Sequence, residues 1–395
     1  MNKDWNVSNR ALKMKSSIIR ELLKITSKPG LISFGGGLPD ESLFPKQQIA
    51  DAATRAILEH GDKSLQYGLT DGYPPLRQFI SEWMKKKNIN VDIENILITV
   101  GSQQGLDLCG RVFLDKDDVV LTSTPTYLGA LQAFNAYEPQ YVSIPSDDDG
   151  MLVDDLDNIV KKHKPKLIYQ IPTFQNPDGR TLPLDRREKL IEVSEKYNVP
   201  IVEDDPYSSL FYYEETPPLL KAMAPENVIF MSTFSKMVSP GFRLAWLSAP
   251  KTLHDKFVKM KQGCDLHSST LAQHILYQFV IDGRLDAHLE IIKKSYKEKL
   301  QSMYAAMEKH LPEGVKWTHP TGGMFIWLEL PERLDTIKMF QRAVDNLVAY
   351  VPGTAFYPNG DGNNMMRLNF SKPSHEEIDE GMKRLGKVIR EELAL

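Results

Sequence analysis

The chain has 395 residues, 42% of them hydrophobic and 25% charged, with a formal net charge of −4. That length buries a large core and predicts two domains, and the mixed charges exclude the basic stripe a nucleic-acid binder needs. The lysine runs 85–87 and 161–162 read as helix ends or solvated faces.

Cys109 and Cys264 lie far apart and outside any metal-ligand spacing. This argues against a disulfide framework and for a reducing compartment. The first ten residues hold no apolar signal region, and no run approaches the ~18 apolar residues of a membrane span. The expected location is the cytoplasm.

Residues 1–44 are expected to form an arm and a first helix, 16–25, joined to the C-terminal part. From residue 45 the pattern alternates. Residues 47–58 and 75–85 carry helical periodicity, and 96–100 is a short β-branched strand followed at once by Gly101 and a helical run. Strands follow at 119–122, 167–171, 201–203 and 228–231, with helical or loop segments between them. Short apolar strands alternating with helices predict a mainly parallel sheet flanked by helices, here over residues 45–285. Residues 268–310 are long and helical, with Gly283 as a break. Strands at 324–330, 348–351 and 366–370 and a last helix over 376–392 predict a smaller α+β domain, 286–395.

The chemistry centres on Lys236. An apolar strand delivers it to a polar turn that holds Thr233 and Ser235, with Arg243 seven residues further on. A lysine there is either a surface residue at a strand end or an amine kept for covalent chemistry beside an anion, such as a Schiff base with a carbonyl cofactor. Gly101-Ser102-Gln103 opens a helix whose free N–H groups suit a phosphate, although such turns are common. Asn176, in the turn Gln175-Asn176-Pro177-Asp178-Gly179, and Tyr127, in Thr124-Pro125-Thr126-Tyr127, end two further strands. Open parallel sheets bind ligands at that edge. Glu203, Asp204 and Asp205 leave a strand just before Tyr207. Acids in that position are usually solvated, yet one of them can stay buried against a cationic ring nitrogen. Arg367 lies between apolar neighbours on a strand and needs either an internal carboxylate or a bound one.

Together these strings resemble the fold-type I pyridoxal-phosphate aminotransferases. The carriers are S-T-F-S-K with its distant Arg, N-P-x-G, D-x-x-Y, G-S-Q-Q-G, T-P-T-Y, L-Q-Y at 65–67 and R-L-N-F. The pattern is closest to the subgroup containing kynurenine/2-aminoadipate aminotransferase and the enzymes of lysine, aromatic and branched-chain amino acid transamination. The resemblance runs from about residue 16 to the C-terminus. It implies an aspartate aminotransferase-like fold and pyridoxal 5′-phosphate as cofactor.

By that resemblance Lys236 anchors the cofactor and carries the α-proton, while Asp204 pairs with the ring nitrogen. Tyr207 and Asn176 bond the phenolic oxygen, and Tyr127 stacks on the ring. Ser102, Gln103, Thr233, Ser235 and Arg243 hold the phosphate, with Thr233 standing where many relatives carry serine. Arg367, helped by Asn176, binds the substrate α-carboxylate. Tyr67 reaches the neighbouring subunit's phosphate and so makes the site a property of a homodimer. Ser17, Arg20 and Gly36 line the substrate side. The implied activity moves the α-amino group of a 2-aminoadipate-, glutamate-, aromatic- or branched-chain-type amino acid to a 2-oxo acid such as 2-oxoglutarate, in two half-reactions. Another reaction of the same cofactor, a β-lyase or decarboxylase, shares these residues. A transcription regulator built on such a domain needs a basic DNA-binding segment in front, for which the sequence before residue 16 is expected to leave no room.

Overall fold

The computed structural model describes residues 5–14, 28–213, 216–281 and 283–395. The expected helix 16–25, with Ser17 and Arg20, lies outside them.

The predicted alternation becomes one eight-stranded sheet. In spatial order its strands are Ile96–Thr99, Ala245–Ser248, Val228–Thr233, Ile201–Asp204, Leu167–Gln170, Val119–Thr124, Gln140–Asp147 and Gly150–Met151. The five from Val228–Thr233 to Gln140–Asp147 pair in parallel. Ala245–Ser248 runs antiparallel to both of its neighbours, and Gly150–Met151 is antiparallel at the far edge.

Successive residues serve opposite faces, as the strand pleat requires. Leu121, Ile168, Ile201 and Val228 are in register and join a core with Leu156, Val160 and Leu190 from the helices Leu156–His163 and Leu184–Tyr197. Tyr169, Val202 and Ile229 face the other way, into the larger core with Leu106 and Cys109 of helix Gly101–Phe113. Burial on both faces explains why these strands read as continuous apolar runs rather than alternating ones.

The C-terminal part has a four-stranded antiparallel sheet, ordered Lys316–Trp317, Phe325–Glu329, Met365–Asn369 and Val351–Pro352. Helices Thr336–Asp345 and His375–Leu393 belong to this part. The last begins with a capping box in which Ser374 and Glu377 satisfy each other's backbone N–H groups. The expected strand at 348–351 is two short ones, because Tyr350 interrupts it. Val348–Ala349 pairs in parallel with Ile32–Ser33, while Val351–Pro352 joins the antiparallel sheet. The helical stretch 268–310 divides into Thr270–Val280 and Arg284–His310, with Gly283 left-handed at the break. No helix among the described residues is long and apolar enough to cross a membrane.

Candidate active site

The parallel strands release their chains at one edge of the sheet, and the candidate residues follow there. Asp204 is the last residue of its strand, Thr233 the last of the next, and Tyr127 stands three residues beyond Thr124. Together with Asn176, Tyr207, Lys236 and Arg367 they line a cavity of about 280 Å³. Segment 36–38 and Phe325 complete its wall.

Lys236 is half-buried, and its Nζ donates to the carbonyl of Gly37 at 2.7 Å. Burial, reinforced by the charges of Arg367 and Arg243, lowers its amine to about 8. Among the described residues no carboxylate is paired with it. Its neighbourhood therefore raises the share of the neutral, nucleophilic form near physiological pH far above that of an ordinary lysine, and that form predominates above about pH 8.

Asp204 is 1% exposed. Tyr169 donates its hydroxyl to Oδ2 at 3.0 Å, whereas Oδ1 is buried without a hydrogen-bond partner among the described residues. Burial raises this carboxyl to about 7, opposed by the Tyr169 hydrogen bond and reinforced by Asp205. A buried carboxylate oxygen with no donor is costly, and a cationic N–H in the cavity supplies one.

All three acids at this strand exit are buried, not solvated as acids there usually are. Glu203 accepts the N–H groups of Leu220 and Lys221 at 2.9 and 2.8 Å. Asp205 caps Ser208 N at 3.0 Å and pairs with Lys87 at 3.5 Å. Lys87 thus turns inward instead of extending a solvated lysine face.

Arg367 is also 1% exposed. Its Nη1 donates to Asn176 Oδ1 and its Nη2 to the carbonyl of Gly35, each at 2.8 Å, while Nε has no partner among the described residues. The guanidinium carbon lies 4.3 Å from the Phe325 ring centroid and 5.1 Å from that of Phe356. Burial lowers its pKa to about 10, so it remains a cation at neutral pH, held in an aromatic slot with a donor edge to spare. Asn176 Nδ2 reaches the Tyr207 hydroxyl at 3.5 Å, and Tyr207 is buried, which pushes its phenol up.

At the other end of the cavity, Gly101 opens a 13-residue helix with φ +72°. A Cβ there would sit 2.2 Å from Arg243 Nη2, so only glycine lets the guanidinium close over the helix start. Ser102 Oγ is buried and unpartnered among the described residues, Ser235 N donates to Thr233 Oγ1 at 3.1 Å, and Arg243 itself is exposed. Helix N–H groups, hydroxyls and an arginine converging on one point suit a phosphate. The free carboxylate oxygen, the free hydroxyl and the amine therefore fit a phosphorylated pyridine aldehyde.

The expected site residues lining this cavity are Gly36, Ser102, Gln103, Tyr127, Asn176, Asp204, Tyr207, Thr233, Ser235, Lys236, Arg243 and Arg367. The Gln103 amide already donates to the Gly129 carbonyl at 2.9 Å. Tyr67 does not join them: it is 80% exposed, in a separate surface hollow beside His267. Residues that sequence reasoning missed are Gly35 and Gly37, which act through backbone carbonyls, and Tyr169 and Phe325. Each reads locally as a turn or core residue, and no local signal distinguishes it.

Residues 32–385 match the aminotransferase class I and II family, and the chain belongs to it. It is 45% identical to aromatic-amino-acid aminotransferase 1 of Thermococcus litoralis over 98% of this chain and 94% of that one. It is 42% identical to 2-aminoadipate transaminase of Thermus thermophilus, over 97% and 96%. A crystal structure of Pyrococcus horikoshii kynurenine aminotransferase in complex with PMP superposes with a TM-score of 0.94, at 45% identity over 98% of both chains. The fold is the aspartate aminotransferase-like one expected.

Proposed function

We propose that this aminotransferase uses pyridoxal phosphate to move the α-amino group of aromatic and 2-aminoadipate-type amino acids to a 2-oxo acid, with 2-oxoglutarate as acceptor. The observation that carries this reading is the half-buried amine of Lys236, lowered to about 8, in one cavity with a carboxylate oxygen and an arginine edge that have no partner among the described residues. The names of the relatives support the choice of amino acids.

When bound, the cofactor supplies an aldehyde that takes up the amino group and a cationic ring that draws electrons from the α-carbon. Asp204 Oδ1 accepts the ring N–H and keeps that proton in place. Tyr207 and Asn176 would donate to the phenolic oxygen, and Tyr127 would offer its ring to the cofactor's. Ser102, Gln103, Thr233, Ser235 and Arg243 hold the phosphate. The Arg367 edge takes the substrate carboxylate and fixes the α-carbon beside Lys236. The Lys236 amine, neutral above about pH 8, would hold the bound aldehyde and serve as the base that accepts and carries the substrate α-proton. A second oxo acid reverses these steps, so the two substrates use one site in turn.

The working unit in this reading is a homodimer in which Tyr67 meets the partner's phosphate. Exposed Leu65, Tyr67, Leu69 and Leu266 support it, because isolated chains seldom leave such side chains together in water. Residues 45–285 act as the cofactor-holding domain and 286–395 as the smaller one. The pairing of Ile32–Ser33 with Val348–Ala349 supports joining 1–44 to the latter. The two free thiols suit the cytoplasm.

The direct test is a panel of amino donors with 2-oxoglutarate, read as keto acid formed. Aromatic donors and 2-aminoadipate should lead, and Lys236→Ala should lose at least the ~10²–10⁴-fold that a general base contributes. Undiminished turnover in that variant would refute the role of Lys236. Amine release without glutamate formation would point to a lyase instead. For the dimer, mixing inactive Lys236→Ala subunits with Tyr67→Ala subunits should restore function to one site per hybrid. No recovery in a verified hybrid would refute the crossing of Tyr67.

A further inference from the structure

Gln175 is 3% exposed and lies one residue before Asn176, yet it does not line the cavity. Its side-chain amide is saturated. Oε1 accepts from Ser123 Oγ at 3.0 Å and from Gln170 Nε2 at 3.3 Å. Nε2 donates to the Pro125 carbonyl at 3.3 Å and to Asp178 Oδ2 at 3.1 Å. Its own backbone N–H donates to the Arg180 carbonyl at 2.8 Å.

The partners belong to two turns. Ser123 and Pro125 open the turn that presents Tyr127, while Asp178 and Arg180 close the turn that presents Asn176. One amide thus fastens two strand exits that no backbone ladder joins at this level: the pairing between their strands ends at Thr122 and Tyr169. The Asp178 carboxylate is itself fixed, accepting Arg180 N and Nη1 at 3.2 Å each. On the far side, Thr126 N donates to the Phe356 carbonyl at 2.9 Å, and the Phe356 ring flanks Arg367. Two sets of contacts thus join the turn of Tyr127 to Arg367, one through Gln175 and the turn of Asn176 and one through Phe356, and only the first also fixes Asn176.

We propose that Gln175 is a positioning residue that locks the turn of Tyr127 to the turn of Asn176, so that the ring-stacking group and the carboxylate clamp are held in one geometry. This rests on the proposed roles of Tyr127 and Asn176. Gln175 spends all four of its side-chain bonds inside this buried network, and removing it takes one bond each from Ser123, Gln170, Asp178 and the Pro125 carbonyl, with Gln170 Oε1 already unpartnered among the described residues. Both binding functions then loosen together, although neither is touched directly.

The test uses the holoprotein and two readouts besides turnover. One is retention of pyridoxal phosphate on dilution. The other is binding of 3-phenylpropionate, an unreactive carboxylic acid, followed through the visible spectrum. Gln175→Met keeps the volume but loses the four side-chain bonds, and should weaken both dissociation constants by about tenfold. Ser123→Ala removes one of those bonds and should move both in the same direction by less. It also serves where Gln175→Met fails to fold, as judged by circular dichroism.

Controls separate the two levels. Tyr127→Ala should affect mainly cofactor retention, and Asn176→Ala mainly the carboxylate. If those controls change nothing, the reading of the site fails. If the controls act but folded Gln175→Met and Ser123→Ala leave both constants unchanged, or move only one, the coupling role is overturned.

Discussion

Two arginines define the ends of the cavity, and they are built in opposite ways. Arg243 is exposed, with a left-handed φ of 52°, and its guanidinium stands over the first residue of helix Gly101–Phe113. Its companions Thr233 and Ser235 come from the same short stretch of chain. Arg367 is buried and held by Asn176 and the Gly35 carbonyl between two phenylalanine rings, so segments hundreds of residues apart meet on one side chain. A local motif suffices for an anion that brings its own charge to a helix start. A buried cation needs a tertiary cage that shields it while leaving one edge unsatisfied for the ligand.

This contrast makes separable predictions. The largest effect belongs to Arg367. Replacement by methionine should lower kcat/KM for amino acids by about 10²–10³-fold, the scale of removing a buried hydrogen-bonded charge, while cofactor retention is kept. Loss of cofactor in that variant would erase the distinction between the two ends. Arg243→Met should do the reverse: cofactor retention falls by about tenfold or more, the worth of a charged hydrogen bond, and amino acid KM in the cofactor-saturated protein changes little. An unchanged retention would remove Arg243 from the phosphate site.

The two arginines also act on one group, the Lys236 amine, and here they should agree. Each positive charge penalises the ammonium form, so with burial they hold the pKa near 8 instead of 10.5. Uptake of pyridoxal phosphate by cofactor-free protein should therefore quicken as the neutral amine grows with pH and level off above about 8. Either methionine variant removes a positive neighbour, which favours the ammonium and moves the plateau to higher pH. Stopped-flow rates across this range decide it, and a plateau unmoved in both variants would show that burial alone sets the amine.

The smallest expected effect is that of Gly101→Ala. The methyl collides with Arg243 and the residue has φ +72°, so stability should fall by about 1 kcal/mol or somewhat more, read as a lower melting temperature. Cofactor retention should weaken with it. An unaltered protein would mean that Arg243 does not need its close approach to the helix.

Sequence legibility followed the same division. The strands that hold the site could be read because burial on both faces writes continuous apolar runs, and the turn residues at their ends stand at fixed short distances. Lys236, Asp204, Tyr207 and Asn176 were all visible in this way. The fate of the acids was not: Glu203, Asp204 and Asp205 are adjacent, yet the first caps Leu220 and Lys221, the second faces the cavity and the third pairs with Lys87. Successive side chains leave a strand on opposite sides, so what each meets depends on distant segments. The split at Tyr350 was equally hidden, because one apolar run supplied two different sheets.

By itself, then, the sequence determined where the strands lie, to within one or two residues at their ends, and which chemical groups follow them at the sheet's edge, since strand burial and turn chemistry are properties of neighbouring residues. Tertiary structure alone decided which groups were left unsatisfied. Asp204 Oδ1, the Arg367 edge and the Lys236 amine became available because Tyr169, Gly35 and Gly37 occupy the other positions around them. Such partners act through a single hydroxyl or a backbone carbonyl, whose direction only the folded chain can set.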